Sequence, residues 1–274
     1  MRHRFVVTAG SRLDRAVVHH TSLLLHQVAD LVKHGRVWVD GRVCRRLEQV
    51  LVEGAVVEVR AAPAEASPRG VTVRYRQDGL LVVDKPPGLP TQAPRGGTAT
   101  HLHGLLQQEH AYVGLHHRLD TPASGLILFT LNRDLNAPVA RMFREHAIER
   151  SYLAVVVGDP GVEGTWDQPI SGQRAVTHWQ RVGTSGGMSL LRVNLETGRT
   201  HQVRLHAVDA GHPLAGDRRH GGAAGRLAPR LALHAWRLAF VHPRNGKDVQ
   251  VWSPPPPDLH ALVTRLGWIE PGPK

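Results

Sequence analysis

An α+β fold built around a largely antiparallel sheet is predicted for these 274 residues, on three observations. Strand-like segments outnumber helix-like ones. They often follow one another directly, which a doubly wound parallel sheet does not allow. The stretch "AAPAEASPRG", residues 61–70, is small, proline-containing and free of hydrophobic period, and reads as a linker. It separates a small αα-β module over residues 1–60 from a larger domain over residues 71–274.

In the module, "SRLDRAVVHH" (11–20) reads as a short helix opened by a Ser11 cap. "LLLHQVADLVKHG" (23–35) carries Leu24, Val28, Leu31 and Val32 at helical spacing and stops at Gly35. "RVWVDGRV" (36–43) is strand, Asp40-Gly41 turn and strand, and "GAVVEVR" (54–60) closes the small sheet. Arg12, Arg15, Lys33, His34 and Arg36 make this piece basic. A fragment of this size buries little core, so it is expected to be an appendage rather than the seat of chemistry.

In the larger domain, "VTVRY" (71–75) and "LLVVDKPPG" (80–88) read as strands, the second stopped by two prolines. "GLILFTLN" (125–132) is a buried strand, and "RDLNAPVARMFREHAI" (133–148) a helix with Pro138 near its start. "SYLAVVVG" (151–158), "MSLLRVNLE" (188–196), "LALHAWRLAFV" (231–241) and "VQVWSP" (249–254) are further strands. "THQVRLHAVDAG" (200–211) is a short helix with Thr200 as its cap and Gly211 past its end.

Lys+Arg is 34 against 23 Asp+Glu, a formal charge of +11, and only four of the basic side chains are lysines. A high-GC coding bias explains arginine over lysine, but not the excess of positive charge. Guanidinium forks grip phosphate in two places, so a polyanionic partner, nucleic acid, is expected. Cys44 is the sole cysteine, which excludes an internal disulfide and a cysteine-based zinc site and fits a reducing, cytoplasmic setting. "MRHRFVVTAG" lacks the apolar core of a signal peptide, and no stretch has the roughly 18 to 20 apolar residues of a membrane span.

The segment "HHRLDTPASGL" (116–126) gathers two histidines, an arginine and an aspartate at the mouth of a buried strand. Pro122 and Gly125 make the residues after Asp120 a turn. A carboxylate on a loop leading into a rigid strand is a common address for catalysis, although an Asp before Thr-Pro also caps its own turn. In "TGRTHQVRLHAVDAG", Arg204 follows His201 by three and Thr200 by four, so the three share a helix face. A cation in the first turns of a helix opposes the macrodipole and calls for an anionic partner, RNA phosphate or a protein carboxylate. Tyr152 opens a strand, where an aromatic ring either packs or stacks on a base.

These segments together resemble the RluA-type pseudouridine synthase family. "LLVVDKPPGLP", "HHRLDTPASGLILF", "ERSYLAVVVG", "TGRTHQVRLHAVDAGHPLAGD" and "LALHAWRLAFVHPRNG" look like its successive motifs in its order. "RLDRAV", "HGRVWVDGRV" and "EGAVVEVR" resemble the S-four RNA-binding module often found in front of it. Ala123 stands where the family usually has Thr, and His220 where it often has Tyr.

The resemblance implies isomerisation of uridine within RNA, without cofactor or metal. It implies Asp120 as the catalytic carboxylate, Tyr152 as the ring that stacks on uracil and assists proton removal from carbon 5, and Arg204 as the ion-pair partner of Asp120. Arg118, His117, Arg199 and His201 are the expected RNA contacts beside the site, and Arg12, Arg15, Lys33 and Arg36 those of the module. The target base must be flipped into a dry pocket. Ribosomal RNA is favoured over transfer RNA as the partner, and no membrane is expected.

Two rival readings stand. A catalytically silent RNA-binding protein would not need Asp120, Tyr152 and Arg204 together. A metal-dependent RNA hydrolase would draw on the 19 histidines, such as "HLH" at 101–103, but ligation needs acidic or further histidine support at fixed spacing. Activity in chelator separates the last from an isomerase.

Overall fold

The structure, a computed structural model, describes residues 2–21, 28–29, 31–32, 36–60, 66–67, 70–93 and 99–269. The described residues form two compact units, one over residues 2–60 and one over 66–269.

In the first unit Arg2–Val6, Val56–Arg60, Val37–Val39 and Arg42–Val43 form a four-stranded antiparallel sheet in that order. Asp40 and Gly41 both have positive φ, 48° and 76°, as a two-residue hairpin of primed type requires. Helix Leu13–His20 buries Leu13, Ala16 and Val17 against Val37, Val57 and Val59. The opening strand Arg2–Val6 was not anticipated. Its signal is a period-two alternation in which Phe5 packs on the core while Arg4 and Val6 face solvent.

Ser11 does not cap the helix. It pairs as a strand with Leu51, Arg12 holds the cap position without a side-chain capping bond, and the Asp14 carboxylate takes the Arg15 N–H at 2.8 Å. Of the second expected helix, only residues 28–29 and 31–32 are described, all helical; Lys33 and His34 lie outside the described residues.

The second unit holds an eleven-stranded sheet. Nine strands run in the order Glu163–Trp166, Thr177–Ser185, Met188–Leu195, Glu149–Val157, Leu233–Val241, Ser124–Thr130, Leu80–Lys85, Val71–Gln77 and Ala66–Ser67. Gly114–Leu115 and Asp248–Trp252 pair at the side. All pairings are antiparallel except that of Ser124–Gly125 with His234–Ala235. Part of the expected linker is therefore strand: Ala66 and Ser67 pair with Thr72 and Val71, while residues 61–65 and 68–69 lie outside the described ones.

The apolar run after Asp120 is buried on both faces of this sheet. Ile127 and Phe129 pack with Leu81, Val83 and Ala154, whereas Leu126 and Leu128 pack with Leu80, Val82, Leu238 and Phe240. Each such side chain contributes about 1.5–3 kcal/mol, so the strand is a rigid base for the turn that precedes it.

Gly125 makes the parallel contact possible. Its φ is +114°, and a Cβ there would lie 2.2 Å from the carbonyl oxygen of Ala235. Gly125→Ala is expected to cost roughly 2–4 kcal/mol, since backbone strain adds to a clash with a neighbouring strand. The check is the urea midpoint, which should fall at unchanged slope; an unchanged midpoint would refute the close approach.

Candidate active site

Asp120 ends the segment that leads into Ser124–Thr130, and the turn behind it is held by two basic side chains. The Lys85 ammonium is buried within hydrogen-bond reach of four carbonyls, those of Pro86, Leu89, Thr121 and Ala123, at 2.6–3.2 Å. Burial, and then Arg230, push Lys85 down to about 7 against the upward pull of Asp120 and Asp84. Arg230 donates to the Ser124 hydroxyl at 3.0 Å and reaches the Pro122 carbonyl at 3.4 Å, and is itself forked onto Asp258. Successive residues 121–124 are thus each fixed from behind.

Arg204 comes from helix Gln202–Asp209, which sets Val203 and Ala207 into the core on the Ile127 face. Its guanidinium bridges two carboxylates. Nη1 donates to Asp120 Oδ2 at 2.9 Å, while Nε and Nη2 fork onto Asp217 at 2.9 and 2.7 Å. The Asp120 side chain is 19% exposed, that of Arg204 4% and that of Asp217 0%. Burial alone would raise the Asp217 carboxyl; hydrogen bonds from Arg204 and from the His220 and Arg219 backbones outweigh it and hold the group below its ordinary value. The same carboxylates raise Arg204 against its burial.

The helix starts one residue later than its sequence suggests. His201, at φ +58°, occupies the cap position, and Thr200 does not cap; its hydroxyl accepts a hydrogen bond from Arg118 instead. Buried Gln202 accepts from the Arg199 N–H and the Thr197 hydroxyl and donates to Val176 O and the Thr177 hydroxyl. That network shapes the loop carrying Arg199 and Thr200.

A cleft of about 720 Å³ opens over Asp120. Tyr152 lines it from strand Glu149–Val157, with Phe143 as a second ring and Arg118, Arg144, Arg174 and Arg199 as cations. Burial pushes the Tyr152 phenol up, with opposing contributions from Arg150 (down) and Asp120 (up), so it stays a phenol at neutral pH. Arg150 also lines the cleft, and its Nη2 lies 3.2–3.4 Å from the carbonyls of Leu195, Glu196 and Thr197, where it props the wall.

Asp120, Tyr152, Arg204, Arg118, His117, Arg199 and His201 therefore converge within one unit. His117 differs from the others in kind. Its Nε2 accepts the Leu128 N–H at 2.9 Å, and burial, with Arg150 and His116, pushes it down to about 3. A neutral ring with that nitrogen occupied brings no charge to the cleft and has only its Nδ1 side left for any further partner.

In the other unit Arg12 is ion-paired with Asp14 and Glu48, and Arg15 and Arg36 are exposed. The "HLH" histidines are occupied too: His101 caps helix Leu102–Glu109 by accepting the Gly104 N–H, and His103 bonds Val113 O at 2.9 Å. Among the described residues no three His, Cys, Asp or Glu side chains converge as a metal site, and no helix is long and apolar enough to cross a membrane.

Sequence reasoning missed Asp217, Lys85, Arg230 and Gln202. Lys85 had a signal, being one of four lysines and sitting between an apolar strand and two prolines. Asp217 had only its place after the small, apolar "PLAG".

The RNA pseudouridylate synthase family profile matches residues 79–208. An uncharacterized RNA pseudouridine synthase of Mycobacterium bovis is 34% identical over 296 aligned positions, covering 94% of this chain and 96% of its own. The ribosomal large subunit pseudouridine synthase D of Nitrosomonas europaea is 33% identical over 79% of this chain and 70% of its own. That of Vibrio cholerae is 30% identical over 94% and 91%. Among solved structures, Human RNA Pseudouridylate Synthase Domain Containing 1 has the same fold, with a TM-score of 0.58 over 78% of this chain and 100% of its own, at 23% identity.

Proposed function

The chain belongs to the RluA-type RNA pseudouridine synthases, which are isomerases, and on that premise we propose that it converts uridine in large-subunit ribosomal RNA with Asp120 as the catalytic carboxylate. The observation that carries the reading is Asp120 at the foot of an arginine-lined cleft, one oxygen tied to buried Arg204 and the other left for chemistry. The ribosomal target is supported by relatives named for the large subunit.

The reaction balances without a co-reactant. The bond from uracil N1 to the sugar breaks, the base turns, carbon 5 joins the sugar carbon, and carbon 5 yields a proton while N1 gains one. A carboxylate that adds to the sugar and one that removes a sugar proton share one requirement: the group must be an anion in a pocket from which water is excluded. Arg204 meets it by staying charged beside Asp120 while anchored on Asp217. Tyr152 gives the detached base a ring to rest on. Flipping the base costs a few kcal/mol, and Arg118 and Arg199, at the edge of the cleft, are placed to offset it through phosphate contacts. Mapping pseudouridines across the RNA of a strain lacking the protein tests the reading. One or more ribosomal sites should revert to uridine, and loss confined to transfer RNA would move the target.

The 2–60 unit is assigned to RNA affinity, with its exposed Arg15 and Arg36. A chain starting at residue 66, so that the Ala66–Ser67 pairing is kept, should retain Asp120-dependent turnover at high RNA concentration. It should bind full-length RNA more weakly and with a shallower salt slope, because each lost phosphate contact removes about one unit of slope. Equal affinities and slopes for the two chains would remove the unit from substrate binding.

A further inference from the structure

Arg204 reaches only one oxygen of Asp120. The other, Oδ1, faces His201 Nε2 at 3.9 Å. The second nitrogen of that ring, Nδ1, lies 2.9 Å from Nε2 of His220, and the two rings meet edge to face with centroids 5.0 Å apart. His201 is also one of five non-glycine residues with positive φ among the described residues. A non-glycine residue persists in that conformation only where its surroundings hold it there. His220 is tied to the same cluster, since its backbone N–H donates to Asp217 Oδ1 at 3.1 Å.

Asp120, Arg204, Arg219 and His220 are the charged and titratable groups around the His201 ring. Burial, with Arg204, Arg219 and His220 and against Asp120, lowers it from the ordinary histidine value, so at neutral pH it carries a single N–H. At 2.9 Å between ring nitrogens one ring must donate while the other accepts. If His201 donated through Nδ1, its bare Nε2 would face the carboxylate, lone pair to anion. If it accepts, Nε2–H faces the carboxylate.

We propose that His220 is a positioning residue: by donating its Nε2–H to His201 Nδ1, it fixes the His201 tautomer that turns an N–H toward Asp120 Oδ1. Asp120 then has a guanidinium bonded to Oδ2 and an imidazole N–H directed, from 3.9 Å, at the oxygen free to react. This rests on the reading of Asp120 as the catalytic carboxylate. A tyrosine O–H at this position could donate to the same nitrogen.

Two-bond proton–nitrogen correlation spectra of the labelled full chain at neutral pH read the tautomer directly, with no substrate present. The parent should show His201 protonated on Nε2, and His220→Phe should show a mixture. On an unmodified large-subunit ribosomal RNA transcript at saturating concentration, His220→Phe should lower the single-turnover rate about tenfold with affinity within about twofold, the usual scale for a partner that orients a reacting group. His220→Tyr should recover most of that rate. A parent His201 protonated on Nδ1 overturns the proposal, as does a His220→Phe variant that turns over at the parent rate while Asp120→Asn is inactive. Turnover by Asp120→Asn itself would instead overturn the reading of Asp120, with the spectra still deciding the histidine pair.

Discussion

Asp120→Asn leaves a folded protein that binds RNA and does not isomerise it. The amide is nearly isosteric and can turn its oxygen to Arg204 Nη1, so the link to the Arg204–Asp217 pair survives as a neutral-to-charged hydrogen bond. The side chain is 19% exposed, which keeps the folding penalty small. What disappears is the anion. An amide neither adds to a sugar carbon nor takes a proton, so the rate should fall by at least about 10³-fold while affinity stays near the parent value. Tritium release from carbon-5-labelled uridine in the target RNA measures it. Turnover by the purified variant close to the parent rate would remove Asp120 from the chemistry.

Arg204→Met is expected to fail twice, in stability and in rate. Methionine fills much of the space, but it leaves Asp217 with no exposed surface and only the Arg219 and His220 backbone N–H groups as partners. Removing one member of a buried pair typically costs about 3–5 kcal/mol. The pH dependence should also change sign. In the parent, Asp217 is held below its ordinary carboxyl value, so its stabilisation is present at neutral pH and lost as pH falls through the lowered value. In the variant burial acts unopposed by Arg204 and raises the group, so stability should instead decline as pH rises from about 4 to about 7.

Urea titrations across that range read the slope. Adding Asp217→Asn should restore much of the stability and little of the rate, because Asp120 still lacks its cation. Single-turnover rates should fall more than RNA affinity does. A sharp loss of affinity with the rate preserved would make Arg204 a phosphate clamp.

The strands that carry the site were legible because apolar runs such as "LILF" have nowhere to go but a sheet interior, and the motif order carried the rest. Strands Glu163–Trp166 and Thr177–Ser185 were not, since "EGTW" and "THWQRVGTS" show neither an apolar run nor clean alternation. Helix Pro257–Arg265 was hidden behind four consecutive prolines, although Leu259 and Val263 have helical spacing. Within the site, charge alone left Arg204 an RNA phosphate or a protein carboxylate as partner, the family resemblance supplied Asp120, and the fork onto Asp217 was not legible at all. It depends on how the chain returns after the helix, which no local pattern encodes. Thr200 misled for a related reason: its hydroxyl serves Arg118, a residue 82 positions away, rather than the adjacent helix.

The Arg204 bridge also has an electrostatic reach beyond the two bonds it makes. Taken as a triad with both carboxylates ionised, Asp120, Arg204 and Asp217 carry one net negative charge, of which only Asp120 reaches the cleft, while exposed Arg118 and Arg199 bring positive charge to its edge. A phosphate is drawn to the edge and repelled from the bottom; an uncharged nucleobase meets no such barrier. On the reading of Asp120 as the catalytic carboxylate, we infer that the cluster acts as a charge sieve, with the RNA backbone held outside and the flipped base admitted to Asp120. It discriminates between parts of one substrate as well as between substrates.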